Sequence, residues 1–140
     1  MIDLLKAAAE RVPFTTHLFR ADLDKPSAPS AYPYVVLWAD LGERFTGDGP
    51  RSTSLQDEDT HELLEIRATY VGLSVQAASI VARRTRDALD RVALDVPGWT
   101  CQRMKVSPAA AITSDESVQV AQGHPYFAVD TYTLTAHKEQ

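Results

Sequence analysis

The chain has 140 residues, a net charge of −5 and one cysteine. This length is typical of one domain, so we expect residues 1–140 to fold as a unit. The single Cys101 excludes an intrachain disulfide and a cysteine-rich zinc site. The acidic balance argues against nucleic-acid binding, which needs an excess of Lys and Arg to neutralise phosphates. No apolar run reaches the length of a bilayer span and no targeting signal is visible, so we expect no membrane contact and a cytoplasmic chain.

The first predicted element is a short amphipathic helix from Leu4 to about Arg11, capped by Asp3 and ended by Pro13. Its apolar side chains recur at helical spacing and define one side of the helix: Leu4, Leu5, Ala8 and Val12. Residues 20–33 follow, with three prolines and several Ser and Ala. They indicate an extended connection, which is either a plain surface loop or an arm lying on a neighbouring subunit.

Two strands are predicted next, at Tyr34–Ala39 and Glu62–Leu73. The second strand alternates with period two and places four side chains on one face: Leu64, Ile66, Ala68 and Tyr70. We expect the two strands to pair as an antiparallel hairpin. The residues between them, Gly42–Thr60, are rich in Gly, Ser, Thr and Asp, so the hairpin would carry a long, mobile polar loop.

Ser74 is the predicted N-cap of the clearest helix, Val75–Val92. An apolar stripe predicts the buried side of this helix: Ala78, Val81, Ala82, Thr85, Ala88, Leu89 and Val92. The opposite side carries Arg83, Arg84 and Arg86, interleaved with acidic residues. This pattern indicates a solvated face or, alternatively, a surface that grips phosphate or a carboxylate-rich partner.

The remaining residues predict an antiparallel meander of three strands, Trp99–Ser107, Glu116–Gln122 and Tyr126–Ala136, with a short tail at residues 137–140. The order of elements predicts an α+β fold. In this fold a mostly antiparallel β-sheet is flanked by two helices on one face, and one hairpin carries the long polar loop.

Catalytic and metal-binding motifs are absent from the sequence, so we expect neither an enzyme nor a cofactor. The segment His61–Glu65 begins like a zinc-protease motif but ends in Glu instead of His. A strand would also hold its first and last residues far apart, so we predict a solvated strand face and no metal. Cys101 is predicted to be a small, half-buried side chain.

The excess negative charge lies in one segment, residues 40–65, which carries eight acidic and two basic side chains and has a net charge of −6. Its acids include Asp57, Glu58 and Asp59, and three interpretations stay open. They form a solvated loop, a contact surface for a basic partner, or a cation site. The candidate interface or channel-facing residues of the whole chain are Arg44, Asp48, Arg51, Asp57, Glu58, Asp59, Arg83, Arg84 and Arg86.

The layout resembles the tail terminator (tail-completion) proteins of long-tailed bacteriophages. The resemblance covers about residues 1–136 and rests on order and spacing. The stretches that carry it are the N-terminal helix, the Pro-rich connection into Tyr32–Leu37, the strand Leu64–Val71, the helix with Ala77-Ala78 and Ala88-Leu89, the turn Val96–Trp99 and the strand Tyr126–Tyr132.

The resemblance implies a homo-oligomer, a six-membered ring that sits on the last ring of the tail tube. Such a ring stops tube polymerisation and presents a surface to neck or head-completion proteins. It implies assembly in the host cytoplasm and a final location in the virion, at the neck end of the tail. DNA would pass through the channel without specific binding, and an acidic segment near that channel would repel phosphate.

Two alternatives stay open beside this interpretation. A head–tail connector or neck protein of the same virion has the same size and composition, and its partners would be the portal or adaptor proteins. A small-molecule-binding or enzymatic α+β domain would need a deep pocket with converging polar groups.

Overall fold

The computed structural model describes residues 2–18, 32–41, 61–108, 111–118, 120 and 123–139. Within them the chain forms two helices and seven strands. Their bounds are α1 Ile2–Arg11, β1 Thr15–Leu18, β2 Tyr34–Leu41, β3 His61–Gly72, α2 Val75–Leu89, β4 Trp99–Cys101, β5 Lys105–Ser107, β6 Thr113–Ser114 and β7 Tyr126–Lys138. The predicted α+β class is confirmed.

The strands form one mixed, mostly antiparallel sheet in the order β1-β2-β3-β7-β4, with β5 and β6 also paired to β7. The predicted antiparallel pairing of β2 with β3 is confirmed, with Trp38 opposite Arg67. Strand β1 pairs in parallel with β2 and was missed in the sequence, because four residues are too few to show a period.

The predicted C-terminal meander is only partly correct: its last strand, Tyr126–Ala136, is β7, but the segments before it do not form the predicted strands. Residues 99–101, 105–107 and 113–114 instead pair with one edge of β7 as three short strands, each antiparallel to it. The first interruption comes at Met104, whose amide donates to the carbonyl of Val92 (3.0 Å) and whose carbonyl accepts from Arg91 (2.8 Å). These groups are therefore directed to the end of α2 and not to β7.

The predicted strand Glu116–Gln122 is wrong as well, within the residues that the structure describes. Asp115 and Ser117 begin a turn, because the Asp115 carboxylate accepts from the amide (3.2 Å) and the hydroxyl (2.6 Å) of Ser117. Asp and Ser favour turns through such local bonds. Val120 makes an isolated β-bridge to Gly123 and belongs to no strand.

Helix α1 begins at Ile2, so Asp3 lies inside its first turn and is not its cap. Helix α2 starts as predicted, because the Ser74 hydroxyl accepts from the amide of Ala77 (3.0 Å). It ends at Leu89, three residues before the predicted end. Arg91, two residues beyond Leu89, has a left-handed φ of 62° and directs its amide to the carbonyl of Met104, so the helical backbone does not continue to Val92.

The core lies between the two helices and one face of the sheet. All four apolar side chains of α1 that were predicted to face inward are buried, and so are the predicted inward residues of β3. Gly72, at the end of β3, is the point of closest approach to α2. A Cβ there would lie 2.6 Å from the backbone nitrogen of Ala78, so only glycine fits without moving the helix.

Candidate assembly surfaces

The sheet has a helix-covered face and a second face, which points away from both helices. The strand register fixes the membership of the second face, because successive side chains of a strand point to opposite sides. We call it the second sheet face, and its residues are Tyr34, Val36 and Trp38 of β2, Leu63, Glu65, Arg67, Thr69 and Val71 of β3, and Phe127, Val129, Thr131, Thr133 and Thr135 of β7.

One end of the second sheet face is apolar. Tyr34, Val71 and Phe127 lie side by side across β2, β3 and β7, and Val36 lies next to Tyr34 on the same strand face. Tyr34, Val36 and Val71 are only 6–7% exposed and form a small cluster of their own. The sheet is therefore stabilised on both sides at this end.

Aromatic rings and one carboxylate surround Tyr34. The ring of Tyr32 lies 5.3 Å from it and the ring of His17 lies 5.6 Å from it, edge-on. Burial raises the pKa of Tyr34 to about 12, with the nearby Tyr32 and Asp115 adding to the effect. Burial and Asp115 also raise the pKa of Tyr32. Both phenols therefore stay neutral at physiological pH.

The other end of the second sheet face is more polar and more exposed. The guanidinium of Arg67 lies over the ring of Trp38, 5.5 Å from its centroid. Thr131 and Thr133 follow on β7, beside Arg67 and Glu65 of β3. Val129, between the two ends, is 38% exposed.

Helix α2 presents an outer face to solvent. Four exposed side chains recur at helical spacing along it: Gln76, Ile80, Arg83 and Asp87. Ile80 is 36% exposed and Val75, at the start of the helix, is 50% exposed. We call these four residues, with the flanking Val75 and Arg84, the α2 outer face.

The predicted grouping of Arg83, Arg84 and Arg86 on one solvated side is only partly correct. Arg83 and Arg84 are exposed. The guanidinium of Arg84 lies 5.8 Å from the ring centroid of Phe14, which follows α1. Arg86 instead turns towards the sheet, so the structure separates it from the other two.

Arg86 forms a buried polar cluster with Asp130, Tyr70 and Tyr132. Its Nε and Nη2 atoms donate to the two carboxylate oxygens of Asp130, at 2.6 Å and 2.9 Å. The Tyr70 hydroxyl donates to the same carboxylate at 2.6 Å and lies 2.8 Å from the Tyr132 hydroxyl. Asp130 is fully buried, whereas the Arg86 side chain is 35% exposed.

The ionisation states of this cluster follow from its geometry. The hydrogen bond to Asp130 raises the pKa of Arg86, so the guanidinium stays charged. Burial is the largest cause of the raised pKa of Tyr70, and it is also the largest cause for Tyr132. The bidentate ion pair between Arg86 and Asp130 joins α2 to β7, with the neutral phenols beside it. It therefore fixes the position of α2 on the sheet and the direction of the α2 outer face.

The structure places the other predicted residues as follows. His61–Glu65 lies in β3, as expected, where a strand separates its first and last residues by about 13 Å. Cys101 is half-buried, and burial raises the pKa of its thiol. The described residues contain no group of three metal-ligating side chains and no helix suited to crossing a membrane. The remaining candidates, Arg44, Asp48, Arg51, Asp57, Glu58 and Asp59, lie outside the described residues.

Comparison with known proteins identifies a fold and not a family. No protein-family model matches the sequence, and neither does any curated protein. Among solved structures, the chain is similar to a chain of the virion of a native gene transfer agent particle. The TM-score is 0.57 at 14% sequence identity, and the match covers 93% of this chain and 84% of the other.

Proposed function

We propose that this protein is a structural subunit of a phage-type virion and acts by assembling with other subunits, without catalysis. The observation that supports this most is the fold shared with a chain of the gene transfer agent virion over 93% of the length. Low sequence identity makes this a likeness of fold alone, and the function drawn from it is our inference.

The finer proposal is that the protein forms a ring at the end of the tail tube. It stops tube polymerisation and offers the joining surface for the neck or head-completion proteins. The order of elements that resembles tail terminator proteins supports this role, and so do two exposed surfaces on different sides of the domain. DNA passes through the ring without specific binding, in keeping with the net charge of −5.

The test is tube polymerisation in the presence of the purified protein. Tail tube protein is polymerised alone and with added chain, and tube lengths are measured by electron microscopy. We expect tubes of limited length with a ring at one end. Unchanged tube length together with binding to portal or adaptor protein would instead identify a head–tail connector. Failure to bind any virion component would contradict the structural role itself.

A further inference from the structure

We infer that the buried cluster of Arg86, Asp130, Tyr70 and Tyr132 specifies the register in which β7 pairs with β3, because apolar packing alone would also permit a second register. The inference is independent of the proposed function, since it concerns the pairing of two strands within one chain. It rests on the side-chain pattern of the two strands and on the position of Asp130, which is the one buried carboxylate among the described residues.

The alternation of side chains along β7 excludes a slip by one residue. Such a slip would turn Thr131, Thr133 and Thr135 towards the core and the apolar side chains to the other face. A slip by two residues is different, because every side chain keeps its face. Some other feature must therefore distinguish the native register from one that is shifted by two residues.

The apolar side chains of the core fit a slipped register about as well as the native one. In the native register Ile66 lies opposite Tyr132, and Leu64 lies opposite Leu134. We call slipped the register in which each β3 residue lies opposite the β7 residue two positions later. There Ile66 would lie opposite Leu134, and the small Ala68 would lie opposite Tyr132. Size and apolar character alone therefore do not select the native register.

The second sheet face does not select the native register either. Arg67 lies opposite Thr131, and Glu65 lies opposite Thr133. In the slipped register Arg67 would lie opposite Thr133 and Glu65 opposite Thr135, so each charged side chain would exchange one threonine for another. The repeated threonines of β7 thus make the two registers equivalent on this face.

Asp130 removes this equivalence. Its fully buried carboxylate accepts hydrogen bonds from Arg86 of α2 and from the Tyr70 hydroxyl of β3. The slip would move this carboxylate by about 7 Å along β3. Arg86 would not follow, because α2 begins two residues after β3 and contacts it closely at Gly72. The carboxylate would then be buried without its cation, which is strongly unfavourable.

The energetics of buried ion pairs agree with a role in register. Replacement of a whole buried pair by apolar side chains of similar shape often leaves stability unchanged or raises it, whereas removal of one partner is costly. The best-attested use of a buried polar group is to fix the register of neighbouring elements. Arg86 and Asp130 therefore contribute the choice of one pairing, and the hydroxyls of Tyr70 and Tyr132 complete the hydrogen bonding around the carboxylate.

The register is measured by trapping cross-strand disulfides in a Cys101→Ala background. The native pair, Thr69→Cys with Val129→Cys, places two thiols opposite each other in the native register. The slipped pair, Thr69→Cys with Thr131→Cys, places them opposite each other only after the slip and otherwise on a diagonal that is too long for a disulfide. Each protein is refolded from urea in a glutathione buffer, and its disulfide fraction is measured by mass spectrometry.

The variant that tests the cluster replaces its four members with apolar side chains: Arg86→Met, Asp130→Leu, Tyr70→Phe and Tyr132→Phe. With the cluster intact, we expect the native pair to close and the slipped pair to stay reduced. In the apolar variant the disulfide fraction of the slipped pair should rise about tenfold or more, because no buried charge opposes the slip. An unchanged fraction would overturn the inference.

Urea denaturation of the same proteins separates register from stability. The apolar variant should unfold at a higher urea concentration than Arg86→Met alone, because no unpaired carboxylate is left buried. An apolar variant that is no more stable than Arg86→Met would show that the cluster acts through stability and would overturn the inference.

Asp130→Asn provides a second test that does not depend on four substitutions folding together. It keeps the shape of the side chain but replaces one accepting oxygen with a donor, which cannot pair with the Arg86 guanidinium. The disulfide fraction of the slipped pair should rise about twofold or more in this variant. A slipped pair that stays as reduced as with the intact cluster would contradict the role of Asp130 in the register.

Discussion

The two faces of the sheet are built from the same strands and differ in what they contain. The helix-covered face is closed: large side chains such as Leu64, Tyr70 and Leu134 are fully buried there, together with the carboxylate of Asp130. The second sheet face is buried at one end and partly exposed over the rest of its length. Because successive side chains of a strand point to opposite faces, one face of the sheet forms the core and stabilises the fold, and the other remains available for contact with other proteins.

The two faces also differ in the burial and the hydrogen bonding of their charged side chains. Asp130 is fully buried and receives three short hydrogen bonds, whereas Arg67 on the second sheet face is exposed and lies over an aromatic ring. Buried charges are costly unless fully paired, and exposed ones contribute little. We therefore expect substitutions on the two faces to differ strongly in their effect on stability.

The largest effect is expected for Arg86→Met. It leaves the buried Asp130 carboxylate without its cation and should lower the free energy of unfolding by about 3 kcal/mol. This value is near the lower end of the range for breaking a buried ion pair, because the Arg86 guanidinium is partly exposed to solvent. Urea denaturation measures this. The control is Arg84→Met, which removes only an exposed guanidinium over Phe14 and should cost less than about 1 kcal/mol. Equal effects of the two variants would contradict the structural role of the cluster.

The next effect is expected for Gly72→Ala. The added Cβ would meet the backbone of α2 at 2.6 Å, so the helix must move, at a cost of about 1–3 kcal/mol. Gly98→Ala is the comparison, because a Cβ there has open space and only the positive φ of 86° opposes it. Thermal denaturation of both variants distinguishes crowding from backbone conformation. A Gly72→Ala protein as stable as wild type would show that α2 is not held closely against β3.

On the second sheet face, Tyr34→Phe should change the pH dependence of stability. The unfolded chain loses the Tyr34 proton near pH 10, whereas the folded protein keeps it until about pH 12. The free energy of unfolding therefore falls as pH rises through this window, by about 1.4 kcal/mol per pH unit from this group. Phenylalanine has no proton to lose, so the variant should show a shallower fall in alkaline urea titrations. Parallel curves for both proteins would contradict the burial of Tyr34.

The smallest effect is expected for Arg67→Gln. It removes the cation over Trp38 at an exposed position, which should cost about 0.5–1 kcal/mol. Arg103→Gln is the matched control, since Arg103 is exposed in the connection between β4 and β5. Chemical denaturation of the pair checks the difference. A loss as large as that of Arg86→Met would mean that the second sheet face contributes as much to stability as the covered one.

Much of the fold follows from sequence periodicity. The faces of α1 and β3, the cap at Ser74 and the antiparallel pairing of β2 with β3 all depend on local spacing, and the structure confirms them. The pairing of the short strands β4, β5 and β6 with β7 could not be predicted in this way, because contacts between residues distant in sequence decide it. Met104 illustrates this, since its backbone pairs with Val92 and not with the nearest strand.

The Arg86–Asp130 pair was missed for a similar reason. Helical spacing places Arg86 at the border between the buried and exposed sides of α2, where a long side chain can turn either way. A signal was nevertheless present on β7: Asp130 has the same strand parity as Ala128 and Tyr132, which face the core. A carboxylate in a buried register requires a cation partner, and Arg86 lies on the helix that covers it.

The pairing of β7 has a consequence for how the chain folds during synthesis. Strand β7 is the latest of the strands in chain order, yet it lies inside the sheet, between β3 and the three short strands. Until residues 126–138 leave the ribosome, β3 has an unpaired edge twelve residues long and α2 lacks the carboxylate that anchors it. Unpaired edges invite pairing with other chains. A nascent chain is therefore exposed to wrong partners from the time residues 61–72 emerge until residues 126–138 follow, and we expect its yield to depend on chaperones and on the rate of translation.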